Sequence, residues 1–232
     1  MRERPAPGKP FGRRLYFEDG EIERICADAL KSAGCLPTTC APVEIELFVE
    51  KAFDCRAVYD SLPTGVLGAA AFRRDGSLEE ITVSRSLSAD GRVGERRARS
   101  TWAHEAGHGL LHGPLVAQGE LRHPLLDDCF DYEKRRILCR EDDIGATGTS
   151  YHGKWWEWQA NQAIGGLLLP RELVEKGVES LTEEQGLFGN RVLPSTHREA
   201  AARRVAEVFD VNPAVARIRL AGLFPSDDQG TL

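Results

Sequence analysis

Apolar positions recur at helical spacing over six stretches of the chain and alternate at strand spacing in one region near its middle. Ile22, Ile25, Cys26, Ala29 and Leu30 form one side of a helix predicted over residues 21–33, with Gly34 as its stop. Pro42 suits the first turn of a second helix over 43–53. Three β-type runs follow at 55–59, 66–72 and 80–83, separated by Pro63-Thr64-Gly65 and Asp75-Gly76-Ser77. Ser88 or Asp90 can cap the next helix, which carries the stripe Trp102, Ala106, Leu110 and is predicted to end near His112 at Gly113-Pro114. A further helix spans 154–169, with Trp156, Ala160, Ala163 and Leu167 on one face and Pro170 at its end. Residues 182–190 are polar and read as a loop. Thr196-His197-Arg198-Glu199 has the form of a capping box opening a helix to about Phe209, and Asn212-Pro213 starts a last one ending near Leu220. The expected class is α+β: mostly helical, with a small antiparallel three-stranded sheet and a C-terminal helix pair.

Between these elements lie two segments without periodicity. Residues 1–19 are rich in Arg, Pro and Gly and read as a flexible arm, not a secretory signal. Residues 114–153 form a long connection with acidic clusters, which serves equally as a solvated loop or as a lid. The main body is expected over 20–190 and a helical hairpin with a tail over 191–232. The 232 residues are 41% hydrophobic and 28% charged, enough for a packed core. A net charge of −6 argues against wholesale phosphate binding. No apolar run reaches membrane-spanning length, so the cytoplasm is the expected location. The six cysteines form no Cys-x-x-Cys pair and are expected to be reduced and mostly buried.

The most specific chemistry lies at His104-Glu105-Ala106-Gly107-His108. Histidines four apart on a helix project about 40° apart around the axis, so both rings reach one ion. The glutamate between them can take a proton from water at that ion, the arrangement of a zinc hydrolase with Glu105 as general base. Gly107 and Gly109 weaken the helix, which implies close approach of a neighbour there: another helix or a substrate strand. A third ligand is required. The metzincin spacing fails, because Pro114 stands where its third histidine would be. His112 rises about 6 Å beyond His108, which suits packing or support of the site better than ligation of the same ion. Glu157, among Trp155, Trp156 and Trp158, is the best candidate, since a carboxylate beside large aromatics is costly to bury unless paired or bound to metal. Asp131 and Glu141 are weaker ones. Tyr132, His123, Tyr151 and His152 are open candidates for an oxyanion donor. A second zinc site from His123, Cys129, Cys139 and His152 matches no standard finger spacing.

Two runs then carry a family likeness: Thr101-Trp102-Ala103-His104-Glu105-Ala106-Gly107-His108-Gly109-Leu110-Leu111-His112, and Glu157-Trp158-Gln159-Ala160-Asn161 through Leu167-Leu168-Leu169-Pro170. Together they resemble the ImmA/IrrE metallopeptidases, which pair His-Glu-x-x-His with a later Glu-x-x-Ala-Asn helix ending in Leu-Leu-Met-Pro. Leu169 replaces the usual Met. The resemblance covers residues 21–221 and implies a zinc metallopeptidase domain over 20–190, with His104, His108 and Glu157 as ligands and Glu105 as base. It implies an intracellular endopeptidase that cleaves a helix-turn-helix repressor or antitoxin and so derepresses genes, including those of mobile elements. Zn2+ is the expected cofactor, with Mn2+ or Fe2+ able to occupy such a site. The long 114–153 segment and the N-terminal arm depart from the pattern.

Two rival classes remain at this level. One is a partner-binding regulatory protein with a structural or vestigial metal site. The other is direct DNA binding through the C-terminal helix pair, where Arg198, Arg203, Arg204, Arg217 and Arg219 face only Glu199, Glu207 and Asp210. The acidity of the chain as a whole counts against the second.

Overall fold

A computed structural model describes residues 2–5, 13–18, 20–117, 130–131, 135–141, 154–185 and 190–225. Strands β1 (Arg2–Pro5) and β2 (Arg13–Tyr16) pair antiparallel where the sequence suggests an unstructured arm. Leu15 is the anchor of this hairpin, buried in the main core. Helix α1 (Glu21–Ser32) inserts Ile22, Cys26 and Leu30, and α2 (Ile45–Phe53) inserts Ile45, Phe48 and Val49.

Strands β3 (Arg56–Asp60), β4 (Val66–Phe72) and β5 (Leu78–Ser84) follow as expected. They do not make a three-stranded antiparallel sheet. The sheet is mixed and five-stranded, with order β3-β5-β4-β7-β6, adding the two-residue β6 (Phe130–Asp131) and β7 (Arg136–Arg140). Every residue of β4 is buried, so it needs a neighbour on each edge. β5 takes one and β7 the other. Two chain reversals return β5 to the direction of β3, so the β3–β5 pair is parallel.

A short 3-10 turn over Arg85–Asp90, capped by the Ser84 hydroxyl, leads into α3 (Gly91–Ala117). This helix runs five residues beyond the expected end and contains Pro114. Proline in a helix interior costs about 3 kcal/mol. Burial of Leu115 and Val116, each worth about 1.5–3 kcal/mol, offsets it, and Pro114 itself lies exposed. α3 is thus the central rod, with β4 and β5 on one side and α4 (Trp155–Leu168) on the other.

Helix α5 (Arg171–Val178) and a small antiparallel hairpin, β8 (Glu183–Gln185) with β9 (Asn190–Val192), precede the C-terminal pair. That hairpin occupies the region read as a loop. Helices α6 (Arg198–Val208) and α7 (Pro213–Leu223) pack together. The capping box does not form: His197 precedes α6 without a side-chain cap, and the Glu199 carboxylate binds Arg203 and Arg217 instead. Asn212 does cap α7, accepting from the amide of Ala214 at 2.9 Å. No described helix is long and apolar enough to cross a membrane. Cys26, Cys35, Cys40, Cys55 and Cys139 form no disulfides among themselves.

Candidate metal centre

His104 and His108 stand one turn apart on the face of α3 that meets α4, and Glu157 lies in the first turn of α4. Close approach of the two helices is written in Gly107. A Cβ there would lie 2.8 Å from Ala163 Cβ and 3.2 Å from the Cα and carbonyl oxygen of Ala160. Gly109 meets the sheet side instead, where a Cβ would overlap Leu78 and Phe53. Packing accounts for both glycines.

The three donors converge. His104 Nε2 is 3.0 Å from Glu157 Oε2, His108 Nε2 is 3.1 Å from His104 Nε2, and His108 Nε2 is 3.5 Å from Glu157 Oε2. An ion with bonds of 2.0–2.2 Å in tetrahedral geometry spaces its ligands by about 3.3–3.6 Å. The observed triangle is that of one face of such a tetrahedron. All three residues are buried. They form a group that can hold a metal ion. Glu157 Oε1 has no hydrogen-bond partner among the described residues, leaving a second carboxylate oxygen for an ion or a ligand beside it.

Electrostatics favours a cation at this point. Burial alone would neutralise Glu157, but His108 and His104 outweigh it and hold its carboxyl below the ordinary range. Burial likewise works against charge on His104, and the contact with Glu157 overrides it and raises the ring above its usual value.

Glu105 is fully buried and faces the sheet side of α3. Its carboxylate, a His104 ring nitrogen and Cys139 Sγ all lie within 4.8 Å of one another. Gly68 of β4 makes this possible, since a Cβ there would lie 2.5 Å from Thr101 Cγ2 and 2.6 Å from Glu105 Oε1. A glycine inside a strand is the usual signal of such close approach.

Around the donors lies a set of uncharged partners. His104 Nδ1 is 3.1 Å from Asn161 Oδ1. His108 Nδ1 is 2.9 Å from His112 Nδ1, and His112 Nε2 is 3.0 Å from Gln159 Oε1. Gln159 Nε2 donates to the Leu15 carbonyl at 2.8 Å. His112 therefore supports the site and does not join the donor triangle. Burial, with His108 alongside, pushes its pKa down to about 3. Asn161 was available to sequence reasoning, four residues after Glu157 on the same helical face. Gln159 and Leu15 carried no signal.

The other expected candidates separate from the centre. Glu141 pairs with Arg97 at 2.6 Å. The tryptophan enclosure of Glu157 is partial: Trp155 and Trp156 are buried but Trp158 is 44% exposed. The side chain of Asp131, the oxyanion candidates Tyr132, His123, Tyr151 and His152, and Cys129 lie outside the described residues. No protein-family model matches the chain, and no curated protein matches it in sequence.

Proposed function

We propose that this protein is a zinc-dependent endopeptidase of the ImmA/IrrE kind, acting in the cytoplasm on a DNA-binding repressor or antitoxin. The observation that carries the reading is the buried triangle of His104 Nε2, His108 Nε2 and Glu157 Oε2, with a second glutamate, Glu105, held beside it. Two histidines and one glutamate are a recurrent catalytic zinc set. Manganese or iron can use the same donors.

His104, His108 and Glu157 would hold the ion. Once bound, it supplies Lewis-acid chemistry, lowering the pKa of water to about 7 and polarising a carbonyl. Glu105 accepts the proton of the attacking water and passes it to the leaving amine. Gly68, having no side chain, leaves the room against β4 that this carboxylate occupies. Asn161 and His112 hold the two rings in place. The substrate class follows from the family likeness of the two motif runs.

Direct DNA contact through α6 and α7 gains no support. Arg203 and Arg217 are paired to Glu199, Arg219 to Glu23 and the Leu169 carbonyl, and Arg198 to the Phe224 carbonyl. Arg204 donates to the Ser180 hydroxyl at 3.4 Å, so each of the five arginines has a partner within the chain.

The test is incubation with candidate helix-turn-helix regulators, read by mass spectrometry. Discrete fragments should form, and a chelator should abolish them. Glu105→Gln should retain zinc and produce none. Full cleavage by Glu105→Gln would refute the mechanism.

A further inference from the structure

We propose that His112 and Gln159 are positioning residues that fix the ring tautomer of His108, holding its Nε2 lone pair toward the metal point from an anchor at the carbonyl of Leu15. The inference rests on the reading of His104, His108 and Glu157 as a metal site, though not on peptidase activity.

The relay is read from its outer end inward. The Leu15 carbonyl can only accept, so the group of Gln159 lying 2.8 Å from it is the NH2. That fixes the amide orientation. The Gln159 oxygen therefore faces His112 Nε2 at 3.0 Å and can only accept, so His112 carries its proton on Nε2. A neutral ring protonated there has a bare Nδ1. His108 turns Nε2 to the donor triangle, and an imidazole that ligates through Nε2 carries its proton on Nδ1. His112 Nδ1 thus accepts, and its 2.9 Å partner, His108 Nδ1, must donate. With its proton on Nδ1, His108 presents Nε2 as a lone pair, 3.1 Å from His104 Nε2 and 3.5 Å from Glu157 Oε2.

Asn161 does the same for His104 in one step, because its Oδ1 accepts from His104 Nδ1 at 3.1 Å. The relay to His108 is longer and ends on a different part of the fold. It joins α3, α4 and strand β2, so seating of the N-terminal hairpin and orientation of a metal ligand are one connected structure. Partners of this kind orient metal-bound histidines, and their loss typically costs 10–100-fold in metal affinity.

Two measurements on the full chain test the proposal. Long-range 1H–15N correlation spectra of the metal-free protein report which nitrogen of each histidine is protonated. His108 should show a proton on Nδ1 in the wild type, and a His108 protonated on Nε2 alone would overturn the relay outright. Zinc affinity by competition with a chromophoric chelator is the second. His112→Phe keeps a planar ring but offers no acceptor, and should weaken zinc binding by about 10–100-fold. His112→Asn places an oxygen near the former Nδ1 and should restore most of the affinity. Urea unfolding of the metal-free variants separates this from a packing effect, which would order the affinities by stability and leave the His108 signals unchanged. Wild-type zinc affinity in His112→Phe would refute the positioning role. If that variant fails to fold, the wild-type tautomer decides the matter alone. Loss of cleavage with normal zinc binding and the expected tautomer would fault the peptidase reading and leave this one standing.

Discussion

Replacing Gly107 with alanine tests whether the α3–α4 approach sets the geometry of the metal centre. Two effects oppose each other. Alanine is favoured over glycine in a helix interior by about 1 kcal/mol. Against this, the new methyl meets Ala163 Cβ at 2.8 Å and two backbone atoms of Ala160 at 3.2 Å. None of these atoms can swing aside, because alanine has no rotamer and the others are main chain. Carbon atoms rest about 3.5–4.0 Å apart, so α4 must retreat by roughly 1 Å. Overpacking of this kind costs about 1–3 kcal/mol, so Gly107→Ala should be less stable by up to about 2 kcal/mol. Glu157 sits one turn before Ala160 and moves with the helix, opening its separations of 3.0 and 3.5 Å from the histidines. Zinc affinity should fall at least tenfold, or about 1.4 kcal/mol. Urea unfolding with and without zinc measures the first effect, and chelator competition the second. Adding Ala163→Gly should recover affinity while costing stability, because it clears the closest contact and weakens α4. A Gly107→Ala protein that is about 1 kcal/mol more stable and binds zinc normally would refute the reasoning.

Two further outcomes follow from particular contacts. Gly68→Ala places a methyl against side-chain ends on α3, Thr101 Cγ2 at 2.5 Å and Glu105 Oε1 at 2.6 Å, which can give way where the main chain beside Gly107 cannot. It should bind zinc like the wild type and lose roughly 100-fold in cleavage rate, since a displacement near 1 Å at a catalytic group costs about that much; undiminished cleavage would remove Gly68 from the site. Burial of Glu23 would raise its pKa, but the two 2.6 Å bonds from Arg219 win and hold the carboxyl below its ordinary 4.5. A carboxyl depressed on folding contributes stability above its unfolded value and loses it as pH falls through the folded one. Glu23→Gln should therefore be less stable than wild type at neutral pH, with the difference vanishing in strong acid; a difference that persists there would place the effect in packing.

Helices whose apolar stripe meets a core were legible in the sequence. For α1, the periodic residues Ile22, Cys26 and Leu30 are the ones buried. What escaped depended on distant partners. β7 alternates Ile137 and Cys139 inward over five residues, a short signal set between arginines, and it exists because β4 has a free edge. Gly113-Pro114 reads as a stop, yet α3 passes through it because Leu115 and Val116 have a core to enter. Gly113 itself is required there, since a Cβ would lie 2.5 Å from the carbonyl oxygen of Gly76. Glu199 left its expected cap for Arg217, 18 residues away, because two charge-assisted bonds at 2.9 Å outweigh one to a backbone amide. At the centre, His104, Glu105 and His108 were legible from spacing, and Glu157 from the cost of burying a carboxylate. Gln159 and Leu15 were not, because a bond between residues 144 apart has no local signature.

The choice between a catalytic and a structural metal site turns on what the fold gives up for Glu105. A structural zinc closes its shell with four protein ligands. The described residues bring three donors to one point, and Cys139 groups with His104 and Glu105 instead of completing the triangle. Glu105 lies beside this group, fully buried. Removing a carboxylate from water is expensive. Seating it here also requires glycine in the middle of β4, which weakens a strand by about 0.5–1 kcal/mol relative to alanine. A site that only braces the fold would be cheaper with an apolar residue at position 105 and alanine at 68. The arrangement makes sense if the carboxylate moves a proton, and the chemistry of Glu105 is the ground on which hydrolysis is preferred to bracing.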